Sequence, residues 1–269
     1  MSKRDILLSF DTETTSNEPR TTRVVQVAAI ARKITPPMEG QHWYDAPQSE
    51  EVIINTLCNP GVSISDSARE VHGISDEMVA GKPRDEEALQ VVTDYIYENQ
   101  DRIILAGQNV VTFDIPILWR VSAREKIRVP VIDTLICATR TLPHAATHKL
   151  GDLITSLGLG SADGAHDALA DIRMVERLVE YFGRGLDKTW AQLAEWCGTG
   201  RVLSVCHFGK HKGKKWGRAK SGENPADFVP YGYARFIADK FDDITPDMAV
   251  TLRRHYGIMC RPEQLQAAI

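Results

Sequence analysis

Ile6-Leu7-Leu8-Ser9-Phe10-Asp11-Thr12-Glu13 sets an apolar run directly against two carboxylates. A short continuous run of this kind, residues 6–10, reads as a buried strand. Asp11 and Glu13 then fall at its C-terminal end, two residues apart, where the period of a strand turns both side chains to one face. Two adjacent anions on one face repel each other unless a cation sits between them. Taken alone, an Asp-x-Glu pair fits a solvated strand end equally well.

Working outward, residues 23–34 form a longer β-branched segment and residues 51–57 a third, so the region reads as a three-stranded meander. Residues 35–50, carrying prolines, a glycine and several polar side chains, read as the loop between the last two strands. Asp76 is expected to cap a helix, and residues 86–97 carry helical spacing at Leu89, Val92, Thr93 and Ile96. From there helices and strands alternate: a strand at 102–106, a helix at 115–124 with Ile117, Leu118 and Val121 on one face, and a fifth strand at 129–132. A short helix at 149–157 is closed by Gly158. The segment 168–181 is strongly periodic, with Leu169, Ile172, Val175, Leu178 and Val179 on one face, and Gly183 and Gly185 are expected to stop it. A meander followed by alternation implies an α/β layered domain with a mixed five-stranded sheet flanked by helices.

Two further carboxylates and a histidine stand out. Asp114 ends Gln108-Asn109-Val110-Val111-Thr112-Phe113-Asp114, just beyond the fourth strand, where it reads as a helix N-cap held ionised by the helix terminus. In Gly164-Ala165-His166-Asp167-Ala168-Leu169-Ala170-Asp171, His166 and Asp171 on one helix would stand about 140° apart at 3.6 residues per turn. His166 is therefore placed on the preceding loop, which Gly160 and Gly164 loosen. Asp167 caps the helix and Asp171 occupies its first turn. So arranged, a loop histidine leans over a helix-borne carboxylate.

Asp-x-Glu, a later Phe-Asp and His-x-x-x-x-Asp in this order resemble the DEDDh (DnaQ-like) 3′→5′ exonucleases. Phe10 to Thr15, His72-Gly73-Ile74, Asn109 to Asp114, Ile132-Asp133-Thr134 and His166 to Asp171 all look like landmarks of that family, over roughly residues 5–182. Gln108 departs from a frequent histidine and Ser16 from a frequent glycine. The resemblance implies a ribonuclease H-like fold and metal-dependent 3′→5′ exonuclease activity that releases nucleoside 5′-monophosphates from DNA 3′ ends. It further implies two Mg²⁺ or Mn²⁺ ions on Asp11, Glu13, Asp114 and Asp171, with Asp11 bridging both. Four carboxylates suit such hard cations, and ions about 4 Å apart can clamp a scissile phosphate. His166 would take the proton of the attacking water, a role that suits an imidazole. Thr12, Thr14, Thr15, His72 and Asn109 would line the pocket for the terminal nucleotide.

The remaining chain is read more coarsely. With 269 residues, 43% hydrophobic and 25% charged, composition excludes disordered and collagen-like classes and allows one sizeable domain and a smaller one. The expected division is an exonuclease domain at 1–183, a linker with a bridging helix (190–196) at 184–200, and a small basic α-rich domain at 201–269, with helices near 233–241 and 246–255. That last domain is expected to have little core of its own and to pack against the first. Net charge is −4, yet residues 201–220 hold seven Lys and Arg and no acidic residue. Phe208-Gly209-Lys210-His211-Lys212-Gly213-Lys214 is similar to the tail of exonuclease X. Lys210, Lys212, Lys214 and Lys215 are expected to hold phosphates and Trp216 to stack a base, against the alternative of a merely solvated hairpin.

No apolar run approaches the ~20 residues that span a bilayer, so no membrane partner is expected and the cytoplasm is the expected compartment. The five cysteines fit reduced thiols, and Cys197, Cys206, His207 and His211 match no usual zinc spacing. Dimers occur in the family, but the chain carries no clear interface signature. The expected partner is single-stranded or 3′-ended DNA in repair, recombination or proofreading. Two alternatives stay open: an RNA-trimming enzyme on the same site, and a nucleic-acid-binding protein that does not cleave.

Overall fold

A computed structural model describes residues 4–35, 37–206, 208–241 and 244–260. Strand β1 (Ile6–Thr14) is the middle of a five-stranded sheet, flanked on one side by β2 (Val24–Ile34) and β3 (Gln48–Leu57) and on the other by β4 (Ile103–Gly107) and β5 (Val131–Asp133). β2 and β3 run antiparallel to their neighbours, β4 and β5 parallel to β1, so the sheet is mixed. Ile6, Leu7, Leu8 and Phe10 are buried, as a central strand covered on both faces requires. β3 begins at Gln48, earlier than residue 51, because its first turns are polar and exposed and carry no hydrophobic signal.

Helices α1 (Asp66–His72), α2 (Asp76–Val79) and α3 (Asp85–Glu98) follow the meander. Asp76 is not the cap: Ser75 holds the N-cap position, and the Asp76 carboxylate accepts from Ile64 N at 3.1 Å. After β4 come α4 (Asp114–Val121), then α5 (Thr134–Thr141), α6 (Leu150–Ser156), α7 (Ala168–Gly185) and α8 (Trp190–Gly198). α7 lies against β1, β2 and β4 through Ile172, Val175, Leu178, Val179 and Phe182. It runs through Gly183, which does not terminate it. A Cβ there would stand 1.8 Å from Tyr44 Oη, so the glycine gives the Tyr44 ring its place against the helix. Trp190, Leu193, Ala194 and Cys197 of α8 are buried in the same core.

The chain divides into two compact units at residue 198. The second contains α9 (Tyr231–Lys240) and α10 (Pro246–Tyr256). It has a core of its own, contrary to expectation: Cys206, Trp216, Val229, Ile237, Leu252 and Tyr256 are among its buried residues. The Tyr256 hydroxyl fastens that core by donating to Val229 O at 2.7 Å and accepting from Gly217 N at 3.0 Å. His207, one of the four residues weighed for zinc, lies outside the described residues. The sulfur beside Cys197 is that of Cys137, at 3.4 Å. No described helix is long and apolar enough to cross a membrane.

Candidate active site

β1 carries Asp11 and Glu13 out of the core on one face, in register with Ala28 and Gln26 of β2. Burial, followed by repulsion from Asp114, Asp171 and Glu13, pushes the Asp11 carboxyl well above the usual range. Burial and then Asp171 and Asp114 push Glu13 up to about 8. Asp114 is raised to about 7 by burial, against the pull of hydrogen bonds from Thr12. Thr12 N and Oγ1 both donate to Asp114 Oδ1, at 3.2 and 2.7 Å. Asp114 is thus the first residue of α4 and not its N-cap, a position held by Phe113, and its carboxylate is pinned across to β1.

Asp171 arrives from the first turn of α7, raised by burial and eased by His166 N, which donates to its Oδ1 at 3.3 Å. His166 lies on the loop before the helix at φ 70°, exposed, and Asp167 caps the helix by accepting from Ala170 N at 3.1 Å. One ligand atom from each of Glu13, His166 and Asp171 lies within 4.8 Å of the others. Gln26 makes this convergence possible. Its Nε2 donates to Asp167 Oδ2 at 2.8 Å and its Oε1 accepts from Ala168 N at 3.3 Å, tying the start of α7 to the strand beside Glu13. Nothing in the local sequence marks Gln26. Only its register opposite Glu13 does.

The residues expected around a terminal nucleotide are largely engaged within the protein. Thr14 Oγ1 donates to Ser16 O at 2.8 Å, and Thr15 Oγ1 accepts from Arg23 N at 3.0 Å. His72 Nδ1 accepts from Ile74 N at 3.0 Å, which leaves its Nε2–H to donate to Thr14 O at 3.1 Å; burial lowers its pKa, with His166 adding repulsion. Asn109 takes a positive φ of 60° and donates its backbone N–H to Asp133 Oδ1 at 3.0 Å. Asp133 also accepts from Val111, Leu135 and Ile136 N, so this buried carboxylate, raised to about 6 by burial, organises the loop that leads to Asp114.

In the second unit, Lys210, Lys212 and Lys215 are exposed and Lys214 is half-buried. Lys215 Nζ lies 3.7 Å from Glu223 Oε1. Trp216 is 3% exposed and cannot stack a base. Lys215 bridges to Val205 and Phe228 in extended pairing, and the alternation of extended chain turns the next residue inward.

Residues 8–179 match the family model for RNase T-type exonucleases. The chain belongs to this family of DnaQ-like 3′→5′ exonucleases. Among relatives, the DNA polymerase III subunit epsilon-like protein of Rhodobacter capsulatus is 29% identical over 203 residues, 72% of this chain and 27% of its own. The chain spans between 11% and 64% of the length of the curated relatives it matches. Escherichia coli exonuclease I, solved with a dA16 oligonucleotide, superposes with a TM-score of 0.52 at 19% identity, over 68% of this chain and 42% of its own. Exonuclease X, solved with 5′-overhanging duplex DNA, gives 0.49 at 22%, over 70% and 98%. The exonuclease I likeness speaks to the fold.

DnaQ-like exonucleases of this type use divalent metals, and the donor set here fits such ions. The groups that perturb Asp11, Glu13 and Asp171 most, burial apart, are other carboxylates and His166; none is a lysine or arginine. Carboxylates gathered with neither lysine nor arginine among the described groups that perturb them call for a cation, and oxygen donors select a hard one.

Proposed function

We propose that this chain removes nucleotides one at a time from the 3′ end of DNA, releasing nucleoside 5′-monophosphates. The observation that carries the reading is the gathering of Asp11, Glu13, Asp114 and Asp171, from β1, α4 and α7, into one mutually repelling group with His166 at its exposed edge. The four carboxylates would hold two Mg²⁺ or Mn²⁺ ions, which when bound supply the positive charge that acidifies a water and stabilises the leaving oxygen.

The chain's own residues set the rest. Thr12 fixes the Asp114 carboxylate, and Gln26 with Asp167 fixes the start of α7, so that Asp171 and the His166 loop keep their places beside Glu13. His166 accepts the proton of the attacking water. The water oxygen bonds to phosphorus, the P–O3′ bond breaks, and the 3′ oxygen takes a proton from solvent. His72, bonded to Thr14 O, and Asn109, in the loop that leads to Asp114, would position the terminal nucleotide.

End-labelled single-stranded DNA, duplex DNA and matching RNA, each incubated with Mg²⁺, Mn²⁺ or EDTA, test the reading. It expects metal-dependent loss of nucleotides from the 3′ end of DNA. Trimming of RNA alone would substitute the RNA-processing reading, and intact substrates in every metal arm would leave a binding protein.

A further inference from the structure

The second unit has a surface that the exonuclease chemistry does not use. On α9, Ala234, Ile237 and Ala238 face the unit's core; Tyr233 and Phe236, three residues apart, are neighbours on one helix face, Tyr233 half-buried against the edge of that core and Phe236 turned outward. Their rings are nearly parallel, 16° apart in plane with centroids 6.0 Å apart, and Phe241 adds an edge contact to Phe236 at 6.3 Å. Phe236 is 48% exposed and Phe241 beside it 42%, so the exposed rings form a contiguous patch and not a lone surface side chain. The rings open into a recess of about 390 Å³ lined by Lys210, His211, Pro230, Gly232, Tyr233 and Phe236.

The recess is built. Gly209 takes φ +60°, and a Cβ there would stand 2.5 Å from Tyr233 Oη, so only glycine lets the turn Gly209–His211 close over the phenol. That turn lays the Lys210 ammonium 5.6 Å above the Tyr233 ring and sets the His211 ring edge-on to it at 4.5 Å. Lys210, Lys212 and Lys214 have no acidic partner among the described residues, whereas Lys215 is engaged by Glu223.

We infer that this recess is a second nucleic-acid site, in which Tyr233 and Phe236 stack bases of a single strand while Lys210, Lys212 and Lys214 hold its phosphates. Flat rings answer to bases and unpaired ammonium groups to phosphates; together they fit a single strand better than a polyanion without bases. The choice of occupant rests on the nuclease reading, and the experiment separates the two.

The full-length chain in EDTA is titrated with a fluorescent circular dT oligonucleotide, which offers no 3′ end, and with a circle of the same length whose residues are abasic. The wild type should prefer the dT circle by tenfold or more. Tyr233→Ala and Phe236→Ala should each weaken dT binding on the order of tenfold, since each stacked base is worth ~1–3 kcal/mol, while Phe236→Tyr retains it. Replacing Lys210, Lys212 and Lys214 by alanine should flatten the log–log salt dependence by about 2, at ~0.7 per phosphate. Equal affinity for the two circles, or an unchanged Kd in the ring variants, would overturn the inference. Cleavage of a linear trinucleotide by the same ring variants, measured with Mg²⁺, should match wild type. Circle binding without any cleavage in the wild type would instead sink the nuclease reading and leave this site standing.

Discussion

Residues 1–197 hold 20 Lys and Arg against 29 Asp and Glu; residues 198–269 hold 12 against 7. The two units also place like charges differently. The first gathers four carboxylates on neighbouring elements, where burial raises the affinity of each for protons and repulsion from Asp114, Asp171 and Glu13 adds to it at Asp11. The second sets lysines at its surface around partly open aromatic rings. Like charges in a buried setting are costly and demand a counter-ion, which makes them a candidate centre for chemistry. At the surface they cost little, are screened by salt, and tune affinity. Breaking the first should therefore stop turnover, and breaking the second should only scale binding.

The sharpest break is Asp11→Asn, at the carboxyl that Asp114, Asp171 and Glu13 all repel. Release of labelled mononucleotide should fall below detection, while the circular dT oligonucleotide binds as before. Turnover within about tenfold of wild type in an Asp11→Asn, Glu13→Gln double variant would end the assignment of these carboxylates. Next in size is His166→Ala, expected to slow turnover by roughly 10²–10⁴-fold, the usual worth of a general base. The thermal shift produced by Mg²⁺ should survive this substitution. Its loss would make His166 a ligand and not the base.

These two predictions concern the part of the molecule that local sequence made readable. The period of β1 places Asp11 and Glu13 on one face, and helical geometry alone sends His166 to the loop while keeping Asp171 on α7. What was not readable depends on distant partners. Asp114 looked like a cap because its true partner, Thr12, lies 102 residues earlier. Gln26 is unremarkable until the sheet sets it opposite Glu13 and α7 brings Asp167 to it across 141 positions. Gly183 looked like a stop because the Tyr44 ring that needs its space is far away in the chain. Trp216, set among lysines, looked exposed until the pairing of Lys215 turned it inward, and Phe236, a ring that does face solvent, sits on α9.

A smaller effect separates the units by pH. Burial raises Glu13 from 4.5 to about 8 and Asp114 from 3.8 to about 7. Between the unfolded and folded values the native chain binds more protons than the unfolded one, so stability falls as pH climbs through this window and the penalty is complete above it. In EDTA, Tm should drop between pH 6 and 8.5, by about 2–4 °C for each kcal/mol lost. Mg²⁺ should raise Tm more at pH 8.5 than at pH 6, where protons already neutralise part of the group. Asp11→Asn should flatten the fall in EDTA and weaken the Mg²⁺ shift. A metal-free Tm that stays level or rises over this range would mean that the carboxylates do not burden the fold as the geometry requires.

The smallest expected change tests whether position within the acidic group matters as much as charge. Gln26 touches neither the water nor the phosphate in the proposed reaction; it acts through Asp167 and Ala168, which begin the helix that brings Asp171 to Glu13. Gln26→Leu keeps the bulk but loses one bond to a carboxylate and leaves the buried Ala168 N–H unpaired, a cost of about 1–3 kcal/mol. Part of that loss should appear as a lower Tm and part as a kcat reduced by about tenfold or less, with KM for a trinucleotide unchanged, because the residue orders the group that serves the transition state. Gln26→Glu distinguishes positioning from mere packing. It preserves shape and volume but sets a second carboxylate against Asp167 where an amide N–H now donates, so it should slow kcat more than leucine does and respond to pH as that repulsion is protonated away. Equal kcat in the leucine and glutamate variants, with only Tm affected, would show that Gln26 supports the sheet and leaves the geometry around Glu13, His166 and Asp171 untouched.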